Sequence, residues 1–225
     1  MLHVVCLNVR KTCSELLDDI LARIPHRLTF YAAPEDSQRE ATRLRPTYAG
    51  ANATLRTFMR SRVVCWQGYE PLVLLCRDGG NSLVRHWLRH EEDRELVNAL
   101  VMIDALHGAP WPDAQFDEEF AGVVEFARDC LADPGEKLFL AVSERIAAGS
   151  VRSGGFGSRL RRAVWSAASD GEIIDTQWAD NIDIVDVAEL GTDELPSPVI
   201  ALMRSRLVPF VAELDPESAS GSPLR

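Results

Sequence analysis

The residues of this chain best arranged to do chemistry are Cys76-Arg77-Asp78-Gly79-Gly80, between the apolar run "PLVLLC" and the helical run "NSLVRHWL". A buried strand, a turn of small residues and then a helix lifts the residue at the bend over the rim of a sheet. Such a turn tolerates little beyond glycine beside that residue. A carboxylate there can attack an electrophilic carbon or take up a proton, with the amides of the new helix facing a developing oxyanion. The same residues also read as a helix start, because aspartate is a favoured N-cap worth about 1 kcal/mol. Both readings of Asp78 stand at this point. In a shifted frame, Gly80-Asn81-Ser82, Ser82 falls inside the helix and off the turn.

Other groups that could serve Asp78 follow later strands. "ALVMID" ends in Asp104 and is followed by "ALHG", so Asp104 and His107 point to the same crevice; His107 can equally be a loop histidine bonded to backbone beside Trp111. "LFLAVSE" ends at Ser143 and Glu144. His86 and His90 have the i, i+4 spacing of a metal pair, but no third ligand and no HExxH pattern accompanies them, so a solvated face is expected and no metal. "SGGFGS", followed by Arg159, Arg161 and Arg162, lacks the lysine and spacing of a P-loop and reads as a loop over the crevice. Cys76 reads as the small buried residue the turn requires, not as a thiol nucleophile. "HEEDRE" (90–95) reads as an exposed polar loop.

The elements that must carry these residues alternate along the chain. Strands are expected at 2–9, 26–34, 71–76, 99–104 and 136–144, with a sixth, extended or ribbon-like, within "EIIDTQW" and "NIDIVDVAE". Between them fall helices over "KTCSELLDDILARIP", "ANATLRTFMRSRVV", "NSLVRHWLRH", "FDEEFAGVVEFARDCLA" and "RLRRAVWSAA". "SPVIALMRSRLVPFVAEL" is expected as a closing helix with an irregularity at Pro209, and 215–225 as a disordered tail. Strand–helix alternation with apolar strands predicts one α/β domain over 1–214: a three-layer sandwich with a mostly parallel sheet of about six strands and helices on both faces. In such sheets ligands bind at the carboxyl ends of the strands.

Composition narrows the setting. Of 225 residues, 46% are apolar and 26% charged, the balance of a soluble globular protein. The net charge of −10 disfavours broad contact with nucleic acid. No run has the ~18–20 apolar residues of a membrane helix, and the N-terminal apolar run reads as a strand, not an export signal. The five cysteines are scattered without CxxC spacing, which predicts reduced thiols in a cytoplasmic setting. No GxGxxG fingerprint supports a nucleotide-binding, flavodoxin-like reading, and no cofactor is expected.

On the elbow segment and the strand spacing, the chain resembles the α/β-hydrolase superfamily, as a compact version without the first two strands. The resemblance implies an oxyanion loop at Asn8-Val9-Arg10 after the first strand, the nucleophile at Asp78, and an acid near Glu144. Elbow aspartates occur in haloalkane dehalogenases and epoxide hydrolases of that superfamily. The family histidine belongs after the last strand, whereas no histidine follows His107 here. The resemblance thus implies hydrolysis of a small ester, amide or carbon–heteroatom bond. Asp78 would be nucleophile or base, His107 the water-activating base, Asp104 or Glu144 its orienting acid, and the Asn8 and Gly79 amides the oxyanion donors. The other reading is a catalytically inactive hydrolase fold kept as a binding or assembly component with a protein partner. Oligomeric state is not legible in the sequence.

Overall fold

Runs such as Leu2–Leu7 and Leu72–Cys76, buried without a break, cannot be half-exposed strands and must be covered on both faces. In the computed structural model, which describes residues 1–31, 57, 71–105, 113–144, 155–166, 180–190 and 195–214, six strands form one sheet. They are β1 (Leu2–Leu7), β2 (His26–Tyr31), β3 (Leu72–Arg77), β4 (Ala99–Ile103), β5 (Leu138–Glu144) and β6 (Ile182–Val187). The order is β2-β1-β3-β4-β5-β6 and every neighbouring pair is parallel.

Alternation along each strand divides the core in two. Leu7, Cys76, Met102 and Ala141 lie in one apolar cluster, and Cys6, Leu75, Val101 and Leu140 in the other. The first face is covered by α2 (Gly79–Trp87), α5 (Ala121–Ala132) and α6 (Phe156–Ser166). The second is covered by α1 (Ser14–Ile20) and a C-terminal rod, α7 (Ser197–Leu202), a π-helical turn (Met203–Leu207) and α8 (Val208–Leu214). The architecture is a three-layer α/β sandwich. Among the described residues no helix is long and apolar enough to cross a membrane.

Side-chain amides stitch the amino edge of this sheet. Asn98 accepts from the Leu72 N–H at 3.0 Å and donates to Glu136 O at 3.3 Å. Lys137 donates to Arg94 O and Val97 O, each at 2.9 Å, beside the Phe126 ring.

Three local expectations change. The "HEEDRE" segment is not a loop: α3 (Glu91–Glu95) forms there, its first turn acidic, which suits the positive end of a helix. Arg94 anchors it to Asp129 Oδ2 at 3.2 Å and Leu88 O at 3.1 Å, and Asp93 is buried. The helix expected from Phe116 begins earlier and bends, as α4 (Asp113–Glu119) and α5, although Phe120 N–H to Phe116 O and Val124 N–H to Phe120 O run through the bend. Past the bend Gly122 lets α5 lie against α2: a Cβ there would sit 2.6 Å from Arg85 O. The irregularity expected at Pro209 is the π turn immediately before it, where widened winding accommodates a residue with no N–H to donate. The expected helix over 51–64, the strand content of 172–178 and the tail after 214 lie outside the described residues.

Candidate functional site

In a doubly wound sheet the chain leaves a central strand toward both sides, and a crevice opens at the carboxyl ends where the direction reverses. Here β1 leads outward to β2 on one side and has β3 on the other, so the switch point lies between β1 and β3. Asn8 ends β1 and Asp78 ends β3. Both have positive φ, 59° and 48°, as does Asp104 (55°) after β4. Among the described non-glycine residues these three are the left-handed ones, and each directly follows a central strand.

Asp78 has φ 48° and ψ −120°, near the first central position of a type II′ turn, which normally belongs to glycine. The first turn of α2 follows directly, with the Asn81 N–H donating to Asp78 O at 3.0 Å. Gly80 is required one step on: a Cβ there would overlap the Leu7 carbonyl oxygen and approach its carbon to 2.7 Å. The start of α2 is thus pressed onto the end of β1, and the bend at Asp78 is what remains. The N-cap reading of Asp78 is overturned. Its backbone is not in the extended region caps use, and its side chain makes no capping hydrogen bond. The carboxylate is about half exposed, 3.6 Å from the Arg77 Nε.

Register brings further polar groups alongside. Arg77 pairs with Ile103, and Ile103 with Val142, so Asp78, Asp104 and Ser143 are next in line on three adjacent strands; Ser143 in turn pairs with Asp186 of β6. Ser143 is fully buried and its hydroxyl has no hydrogen-bond partner among the described residues. Glu144 is exposed, one residue beyond this row and two strands from Asp78. Between the two acids the sequence offered, Asp104 is therefore the neighbour of Asp78. His107 lies outside the described residues. The Asn8 N–H donates to Tyr31 O at 2.9 Å, so the expected oxyanion donor is already committed to the β2 ladder, a correction to that assignment. Gly79 provides the first amide of α2, a position with no intrahelical acceptor.

Other groups singled out in the sequence resolve plainly. Ser82 accepts a hydrogen bond from Arg85 Nη2 at 2.7 Å, within the helix. Cys76 is wholly buried, and burial pushes its thiol pKa well up, which leaves it inert. His86 is held neutral, its pKa lowered to about 4 by burial and then by Arg89 and Arg85, with Glu119 at 3.8 Å. No metal-holding group of three His, Cys, Asp or Glu occurs among the described residues. Arg159, read as a possible phosphate contact, is buried with its guanidinium 4.7 Å from the Phe116 ring. Phe116 stacks on Phe120 at 4.4 Å, and Arg85 lies 4.5 Å over Phe120, so two buried arginines bracket two stacked rings.

Sequence reasoning missed Asn81. It is 2% exposed, and its Nδ2 donates to Ile103 O at 2.7 Å and to Asp104 O at 3.1 Å. An asparagine in the first turn after a double glycine was the available signal.

The fold and rim define the class: an all-parallel, doubly wound α/β protein with a carboxylate on a left-handed bend beside its switch point. Compared with protein families, with curated proteins and with solved structures, the chain shows no match. The strand order β2-β1-β3-β4-β5-β6 is the flavodoxin-like order of doubly wound sheets.

Proposed function

We propose that the protein is a hydrolase of small molecules in which Asp78 is the nucleophile. The observation that carries this reading is the Asp78 backbone, φ 48° and ψ −120°, on a side chain that does not cap its helix. A non-glycine residue in such a conformation costs on the order of 1–3 kcal/mol and is kept where placement matters.

Of the bond classes the sequence suggested, a carbon–heteroatom bond suits a carboxylate best. Attack on an ester or amide would give an anhydride, whereas attack on a saturated carbon gives an ester that water can cleave. An Asp78 oxygen bonds to the carbon while the carbon–halogen bond breaks and halide departs with the electron pair; an epoxide oxygen instead keeps the pair and takes a proton from water. His107 then removes a proton from water, whose oxygen adds to the Asp78 ester carbonyl, and the Gly79 amide faces the resulting oxyanion. Collapse expels the alkoxide, which takes the proton back from His107, and the new carboxylic acid loses its proton to solvent. Asp104, next in register, is the group to orient His107.

A second reading, an inactive fold kept for binding, is favoured by one fact. Among the described residues no histidine lies at the carboxyl rim: His3 and His26 begin strands, and His86 and His90 lie at the far end of α2. Halide or proton release from a panel of small haloalkanes and epoxides separates the two. Turnover abolished in Asp78→Asn and reduced at least a hundredfold in His107→Ala supports the hydrolase; no turnover by the wild type with any member supports the binding reading.

A further inference from the structure

We infer that Asn81 is a positioning residue that sets the Asp78 carboxylate against the end of β4. This rests on the reading of Asp78 as the reacting group. Asn81 holds three atoms of the rim at once. Its backbone N–H donates to Asp78 O at 3.0 Å in the first turn of α2. Its side-chain nitrogen donates across to β4, to Ile103 O at 2.7 Å and Asp104 O at 3.1 Å. One residue thus ties the bend after β3 to the bend after β4.

The amide can adopt only one orientation. Both groups within reach are carbonyl oxygens, so the NH2 must face them; the flipped amide would set oxygen against oxygen. The remaining atom, Oδ1, is buried without a hydrogen-bond partner among the described residues. A buried acceptor left unpaired is destabilising, so an apolar residue would relieve a penalty that asparagine retains. What asparagine supplies in exchange is a fixed span between two strand ends whose residues, Asp78 and Asp104, both have left-handed backbones. Asn98 provides the contrast. It bridges strand ends in the same way at the amino edge, with both amide atoms paired and no candidate group nearby.

The test uses the full chain carrying His107→Ala, which leaves the Asp78 ester unhydrolysed, and a small aryl epoxide, phenyl glycidyl ether, with adducts mapped by peptide mass spectrometry. An Asp78 oxygen opens the ring, the carbon–oxygen bond breaks toward the epoxide oxygen, water supplies a proton, and a hydroxyalkyl ester remains on Asp78. With Asn81 in place, this chain is expected to label Asp78 faster than exposed carboxylates such as Glu92. Asn81→Ala and the near-isosteric Asn81→Asp, which lacks the NH2 donor, are each expected to slow Asp78 labelling at least tenfold without changing Glu92. Asn98→Ala, a loss of comparable structural weight, is expected to leave Asp78 labelling within twofold. If both fail to fold, the similarly shaped and uncharged Asn81→Leu carries the comparison, because it leaves no cavity and buries no charge. Selective labelling that persists in both Asn81 variants, or falls equally in Asn98→Ala, overturns the positioning role and spares the reading of Asp78. An absence of Asp78 selectivity in the His107→Ala chain overturns the reading beneath it.

Discussion

Replacing Gly80 with alanine should destabilise the protein by about 2 kcal/mol, and the reason lies in one contact. An added Cβ would overlap the Leu7 carbonyl oxygen and stand 2.7 Å from its carbon and 3.0 Å from its Cβ. Ordinary contact begins near 3.4 Å, so the start of α2 must withdraw from β1 by more than roughly 0.7 Å. Neither partner yields easily: Leu7 is fully buried in a strand paired on both sides. Overpacking of this kind costs about 1–3 kcal/mol, and a rigid obstacle places the cost at the upper end, while alanine returns up to about 1 kcal/mol of helix preference. Gly135 is the matched control, since a Cβ there meets nothing within 4 Å. Gly135→Ala should be neutral or stabilising by up to about 1 kcal/mol through the unfolded chain. In urea unfolding, with a slope of about 2–3 kcal/mol/M for a domain of this size, the Gly80→Ala midpoint should fall by about 0.7–1 M and that of Gly135→Ala should hold or rise. A Gly80→Ala midpoint equal to wild type would refute the close seating of α2 on β1, and with it the cause assigned to the bend at Asp78.

Two further predictions follow from named groups. Asp78→Gly should be more stable than Asp78→Ala by about 1–2 kcal/mol, because only glycine relieves a φ of 48° while losing some backbone entropy; equal melting temperatures would mean the bend is unstrained. His86 has a folded pKa near 4 against 6.5 for the free group, so between those values the unfolded chain binds the extra proton and stability falls as pH drops from 6.5 toward 4. His86→Gln should lose less stability over that window than wild type in urea midpoints measured at its two ends, and equal losses would contradict the burial argument.

The layered fold was legible because Leu72–Cys76, Ala99–Ile103 and Leu138–Val142 are apolar without interruption, which only a doubly covered sheet explains. Asp78 was legible because an apolar strand before it and two glycines after it leave little choice of turn. Its non-capping side chain was not, since cap and elbow ask for the same residues in the same places. Asn81 and the committed Asn8 amide were hidden for a different reason. Their partners, Ile103 and Tyr31, are 22 and 23 residues away along the chain and become neighbours only through strand order. The burial of Arg85 and Arg159 was hidden too, because nothing local announces that the Phe120 and Phe116 rings will lie against their guanidiniums.

The account rests on the Asp78 carboxylate forming the bond to substrate, and isotope transfer in a single turnover reads this directly. With protein in excess over an epoxide or haloalkane it turns over, in water enriched in oxygen-18, the heavy atom should appear in the Asp78 side chain while the first alcohol product carries ordinary oxygen. Heavy oxygen in that first product, with Asp78 unlabelled, would contradict the account, because water would then have attacked the substrate itself.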